Sequence, residues 1–291
     1  MTTKVKNSNP LEGYLRTPKL YVNLPSQGKF SKMDTQSEIT GEIPIFPMTA
    51  KDETMLRNPD ALLNGESLVT VIQSVTGIKD VYNLASNDID VILLAARYAT
   101  YGQILEVNAT CPECKNNFDM PVNIEEILET VVTLNDEYTV TLENGLQVYI
   151  RPYTFRDAQR AALQAFRETN ELNKLTSNDD TDELVKLASF NKSFQAMADL
   201  NISILASSVI KIIIPAVDDV EELTVINPDH ILSWVQGIGK SDADAILDEA
   251  NKINDEGIKR EITFECPDET CGHTFDERLE FNPSSFFDLG S

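Results

Sequence analysis

Residues 104–124, ILEVNATCPECKNNFDMPVNI, and residues 260–281, REITFECPDETCGHTFDERLEF, are two copies of one device. Each is a β-type run that enters Cys-Pro, reaches a second cysteine within a few residues and leaves by another β-type run. Both copies place Phe-Asp at the same distance beyond the second cysteine, Phe118-Asp119 after Cys114 and Phe275-Asp276 after Cys271. The repeat contains all 4 cysteines of the chain. A tight turn aims two sulfurs at one point, and two such turns complete the tetrahedron of a closed structural zinc site. The sequence therefore predicts a zinc ribbon in which Cys111, Cys114, Cys266 and Cys271 hold Zn2+, built from two hairpins far apart in the chain. Cys111 and Cys114 have the spacing of a zinc knuckle. Cys266 and Cys271 are set wider, and His273 is close enough to be an alternative ligand. Disulfides or free thiols are the competing reading; disulfides need an oxidising compartment, and nothing in the chain points to secretion.

Length and charge narrow the rest. A chain of 291 residues is long enough for one or two units with a substantial core. The first residues have no apolar h-region, so no signal peptide is expected. No stretch approaches the roughly 20 apolar residues that span a bilayer; the most apolar run, residues 209–217, is interrupted by Lys211 and Pro215. No membrane partner is predicted, and the protein is expected to be soluble and intracellular where it is made. The formal charge is −23. Zinc ribbons that bind nucleic acid carry clustered Lys and Arg to displace phosphate counterions. These hairpins instead carry Glu106, Glu113 and Asp119, and Glu265, Asp268, Glu269, Asp276, Glu277 and Glu280. They would repel a phosphate backbone, so no nucleic-acid partner is expected. The acidity reads as a solvated surface, or as docking to a basic partner.

In chain order, residues 1–18 are polar and aperiodic and read as a flexible arm. Residues 20–22 and 42–46 are short strands, separated by a turn forced by Pro25, Ser26 and Gly28. Thr49 with Asp52 signals a helix start, with Met55 and Leu56 its first buried candidates. Leu68, Val71, Ile72 and Val75 recur at helical spacing up to Gly77, and Ile89, Ile92, Leu93 and Ala96 do so in a helix that starts near residues 86–88 and stops at Gly102. Arg97, Tyr98 and Tyr101 form either a contact surface or a packed helix end.

At this point the residues resemble a known family. LPSQG (24–28), FPMTAKDE (46–53), NPDALLNGES (58–67), the 88–97 stretch leading into TYG, and CPEC (111–114) are similar, in that order, to the baseplate proteins of T-even-like tailed bacteriophages. The resemblance covers roughly residues 20–125. It implies a hub component or hub-assembly factor, with other baseplate, hub or tail proteins as partners, made in the host cytoplasm and placed in the virion tail. An assembly chaperone acting on hub or tape-measure components, absent from the mature virion, is the runner-up within the same biology.

Beyond the first cysteine hairpin, residues 124–130 read as a short helix. Residues 137–152 are a hairpin in which Tyr138, Val140 and Leu142 alternate towards a two-residue Asn144-Gly145 turn and return through Leu146, Val148 and Ile150. Thr154 with Asp157 starts a helix to about residue 172. The pattern over residues 181–213 predicts one long helix, either packed back on its predecessor or docked on a partner. Residues 217–228 are a linker or short strand. Helices are expected from Asn227 through Trp234 and, capped by Ser241 with Asp244, to about residue 254. Trp234 is expected in the core, and Phe286, Phe287 and Leu289 form an apolar tail.

The predicted class is thus α+β. It comprises an arm (1–18), an N-terminal helical region with the first half of the ribbon (19–125), a mostly helical insertion with one hairpin (126–258), and the second half of the ribbon with the tail (259–291). Catalysis is not expected. His230 and His273 are the only histidines, the cysteines are committed to metal, and neither a dinucleotide fingerprint nor a P-loop is present. The reading is a non-enzymatic scaffold protein. A zinc-ribbon nucleic-acid or transcription adaptor and a hydrolase are the more distant alternatives.

Overall fold

The computed structural model describes residues 11, 14–30, 42–56, 65–176, 183–216 and 221–279. The sequence readings that fall on most of the arm, on most of NPDALLNGES and on Phe286, Phe287 and Leu289 lie outside the described residues. The architecture is mixed helix and antiparallel sheet around two apolar clusters. Among the described residues, no helix is long and apolar enough to cross a membrane.

Around the first cluster, β1 (Leu20–Val22) pairs with β2 (Ile43–Ile45), and α1 (Ala50–Leu56) and α2 (Glu66–Thr76) follow. The predicted cap forms: the Thr49 N–H and hydroxyl donate to Asp52 Oδ2 at 2.7 and 2.8 Å, and Asp52 N–H returns to Thr49 Oγ1. Leu56 is buried and Met55 half-buried. Arg16, within the stretch read as an arm, donates to the carbonyls of Pro47 and Ser74. α2 ends at Gly77, whose φ of +79° suits a residue without a Cβ. The next helix, α3 (Ser86–Tyr101), is buried on nearly every side, with Leu84 and Ile92 at the centre of the cluster. Arg97 is buried with its guanidinium 5.3 Å from the Tyr101 ring, and Tyr101 donates to Glu53, so this helix end packs. Two hairpins complete the layer: β3 (Ile104–Thr110) with β4 (Asn117–Asn123), and β9 (Glu261–Glu265) with β10 (Thr274–Arg278). Between β4 and the second cluster lies α4 (Ile124–Leu128), capped by Asn123.

The second cluster sits under a four-stranded sheet in sequential order, β5 (Tyr138–Thr141), β6 (Gln147–Ile150), β7 (Val209–Ile214) and β8 (Leu223–Val225). Two long helices, α5 (Phe155–Thr176) and α6 (Glu183–Ser208), run antiparallel between β6 and β7, and α7 (Pro228–Gly237) and α8 (Lys240–Asp255) pack behind. Trp234 lies half-buried against this cluster.

Three local expectations are corrected. The helix predicted over residues 181–213 stops at Ser208, and Val209 and Ile213 belong to β7. Ser207 and Ser208 turn their hydroxyls back onto the carbonyls of Ile204 and Leu205, and the β-branched run VIKIII beyond them packs better on a pleated surface. The 137–152 hairpin turns through three residues rather than two. Gly145 N–H donates to Leu142 O and Leu142 N–H to Leu146 O, with Gly145 at φ +84°. That loop places Tyr138 opposite Ile150 and Val140 opposite Val148, so like faces meet, which a two-residue turn would have displaced by one. Finally, α8 begins after Gly239 and not at a Ser241 cap.

Two adjacent residues of α3 hold the clusters and the 25–28 turn in place. Asn87 donates from one amide to the carbonyls of Ile253 and Glu256, both at 2.8 Å, fastening the end of α8 to the start of α3. Asp88, fully buried, accepts the Ser26 N–H at 2.9 Å and the Ser26 hydroxyl at 2.5 Å. Desolvation outweighs those hydrogen bonds and pushes its pKa from 3.8 up to about 6. A carboxyl that holds its proton more tightly in the native state favours folding below the unfolded pKa, and that benefit is lost as pH rises through the native one. Between pH 4 and 7 wild type should therefore lose about 2 kcal/mol relative to Asp88→Asn. Urea titrations of both proteins across that range check this; parallel curves would rule it out.

Candidate metal centre

The two cysteine turns are built alike. In the first, Cys111 N–H donates to Asn116 O, Lys115 N–H to Cys111 O, and Lys115 takes φ +61°. In the second, Cys266 N–H donates to His273 O, the N–H groups of Cys271 and Gly272 both reach Asp268 O, and Gly272 takes φ +54°. The residue after the second cysteine is thus left-handed in both copies. Asp268 secures the wider second turn by accepting the Thr270 N–H and hydroxyl through Oδ1. The correspondence continues down the strands: Asp119 accepts from Asn108 and Asp276 from Thr263, each three residues before the first cysteine of its copy.

Across the hairpins, Cys111 Sγ lies 3.8 Å from Cys271 Sγ, and Cys114 Sγ lies 3.6 Å from Cys266 Sγ. All four sulfurs fall within 4.8 Å of one another. Disulfides would need about 2.05 Å, so these are four free cysteines. A tetrahedron of thiolates with Zn–S bonds of about 2.3 Å has edges of about 3.8 Å, which the two cross-hairpin distances match. The donor set and spacing therefore fit Zn2+. His273 is not part of the cluster: its ring stacks on Phe275, centroids 6.2 Å apart. His230 lies exposed in the first turn of α7, where its N–H meets Asn227.

Without metal, the cluster is electrostatically uneven. At Cys111 burial opposes ionisation, but hydrogen bonds from the Cys114 and Glu113 N–H groups and the neighbouring thiols bring its pKa down to about 7. Cys271 goes the other way: the His273 N–H lowers it, yet burial and the bonds shared with the other thiols push it up to about 12. The Cys111 thiolate is easily formed while Cys266 and Cys271 resist ionisation, a situation that a divalent cation relieves by binding the cluster.

Beneath the sulfurs the repeat packs on itself. Phe118 and Phe275, in equivalent positions, meet edge-to-face at 6.3 Å, and the buried Phe264 supports Phe275 at 6.2 Å. At the far end the second hairpin is tied down by the Arg260–Asp90 ion pair to α3 and by the Lys259 N–H to Thr130 Oγ1. Burial raises Asp90 to about 6 even though Arg260 opposes it. The sequence singled out the four cysteines; it did not single out Asn87, Asp88 or Asp90, whose short polar side chains look like ordinary helix-start residues.

A family model described as T4 bacteriophage base plate protein matches residues 17–288. No curated protein and no solved structure matches the chain. The match takes in both hairpins and everything between them, where the motif-by-motif resemblance stops near residue 125. On that near-complete correspondence, the chain belongs to the T4 bacteriophage base plate protein family.

Proposed function

We propose that this protein is a non-enzymatic structural component of the baseplate hub, presenting protein-binding surfaces on a scaffold closed by one structural zinc ion. The family match over residues 17–288 carries the baseplate assignment and implies contacts with other baseplate proteins. The hub placement rests on the motifs of residues 24–114. The zinc assignment rests on the four convergent sulfurs of Cys111, Cys114, Cys266 and Cys271. All protein ligands are thiolates in such a site, which leaves no open position for substrate and gives the metal a holding role.

Cryo-electron microscopy of the assembled tail, with mass spectrometry of purified virions, tests the placement. The chain is expected in the finished particle at the hub. Its absence from virions would make it an assembly factor instead and overturn the structural role.

A further inference from the structure

The helix pair α5 and α6 carries several polar contacts along its length. Ser207 donates to Asp157, Arg160 to Ser203 and Gln164 to Glu168, and both Glu168 and Ser193 are buried. Four large apolar residues of α6 face solvent: Leu184 is 72% exposed, Leu187 59%, Phe194 68% and Met197 39%, with Phe190 between them half-buried. At 3.6 residues per turn they share a sector about 140° wide. Of α6, the buried apolar residues Ile204, Leu205 and Ala206 lie near its C-terminal end.

Two features say what covers this face. The first is symmetry: steps of three, seven and three residues separate positions 184, 187, 194 and 197, a spacing that reads the same in both directions. Two copies of α6 crossing antiparallel about the midpoint of residues 190 and 191 would place Leu187 of one opposite Phe194 of the other, and Leu184 opposite Met197. An isologous interface requires this self-complementarity, in which residue i meets j and j meets i. The second is charge. The two helices hold six basic and five acidic residues and their connection adds three aspartates, in a chain of net −23, so most of the net negative charge lies elsewhere. Pairing at the α6 midpoint keeps Ile204 of each copy about 20 Å from the crossing. The acidic bodies then stay beyond the roughly 8 Å over which charges act at physiological salt.

We infer that α6 is a self-association element, and that two copies of this chain pair through it as an antiparallel helix dimer. The inference stands apart from the zinc and hub assignments. Sedimentation equilibrium of the full zinc-loaded chain should show a dimer whose dissociation constant does not weaken at high salt. Leu187→Lys and Phe194→Glu should each weaken it by about 100-fold. Mixing the two variants should restore pairing, because the introduced lysine then faces the introduced glutamate while the other site keeps Leu187 against Phe194. If either variant misfolds by circular dichroism, Leu184→Lys mixed with Met197→Glu makes the same test. A monomeric wild type, a dimer indifferent to both substitutions, or variants whose mixture stays apart would each overturn the proposal.

Discussion

Cys111→Ser is expected to release the metal and to loosen two hairpins that stand far apart in the chain. Metal analysis should give one zinc per wild-type chain and a loss of tight binding in the variant. Structural zinc contributes on the order of 10 kcal/mol in small sites, comparable to the net stability of a whole domain. Cys111 should be the most damaging of the four positions, because its sulfur is fully buried whereas Cys114 is exposed. Hydrogen exchange locates the effect. Protection should fall together in β3–β4 and β9–β10, while the β5–β8 sheet, which packs on a different cluster, changes less. Chelation of wild type should reproduce the pattern, and His273→Ala should not. Unchanged exchange in both hairpins after complete zinc removal would show that the sulfurs pin nothing.

Asn87→Ala is the second large effect, expected at about 2–4 kcal/mol. The substitution removes one amide and strands two carbonyls, those of Ile253 and Glu256, where the chain passes between the two clusters. The mechanism predicts more than a lower midpoint. Because Asn87 joins α3 to the end of α8, the variant should unfold less cooperatively, with tryptophan fluorescence from Trp234 and hydrogen exchange of α3 following separate curves. Coincident curves at the reduced stability would limit Asn87 to a local role.

The reading of the cysteine repeat from sequence succeeded because its signals are local and redundant. Cys-Pro, the second cysteine and Phe-Asp recur in register, and the structure gives the matching residues matching hydrogen bonds. The helix caps Thr49–Asp52 and Thr154–Asp157 were legible for the same reason, since donor and acceptor sit within one turn. The helix read over residues 181–213 was overextended for a different reason. Leu205, Val209 and Ile213 keep a four-residue spacing straight through the boundary at Ser208, so periodicity alone extends the helix into β7. The β-branched density of VIKIII was the contrary signal. Asn87 and Asp88 escaped notice because their partners, in residues 253–256 and at Ser26, lie far away in sequence. Polar anchors of this kind are defined by the tertiary fold that they secure.

The Val132 N–H donates to the Gly257 carbonyl at 2.9 Å, and two residues on Leu134 donates to Pro25. Residues 133–256 therefore depart and come home side by side, and they touch the frame again where Tyr153 and Phe155 bond to Ser86 and Leu84. The entropy of closing such a detour grows only with the logarithm of its length, about 0.6 kcal/mol for each doubling. A lineage is then free to lengthen or trim the outer ends of α5 and α6 while the points from which the lobe hangs stay unaltered.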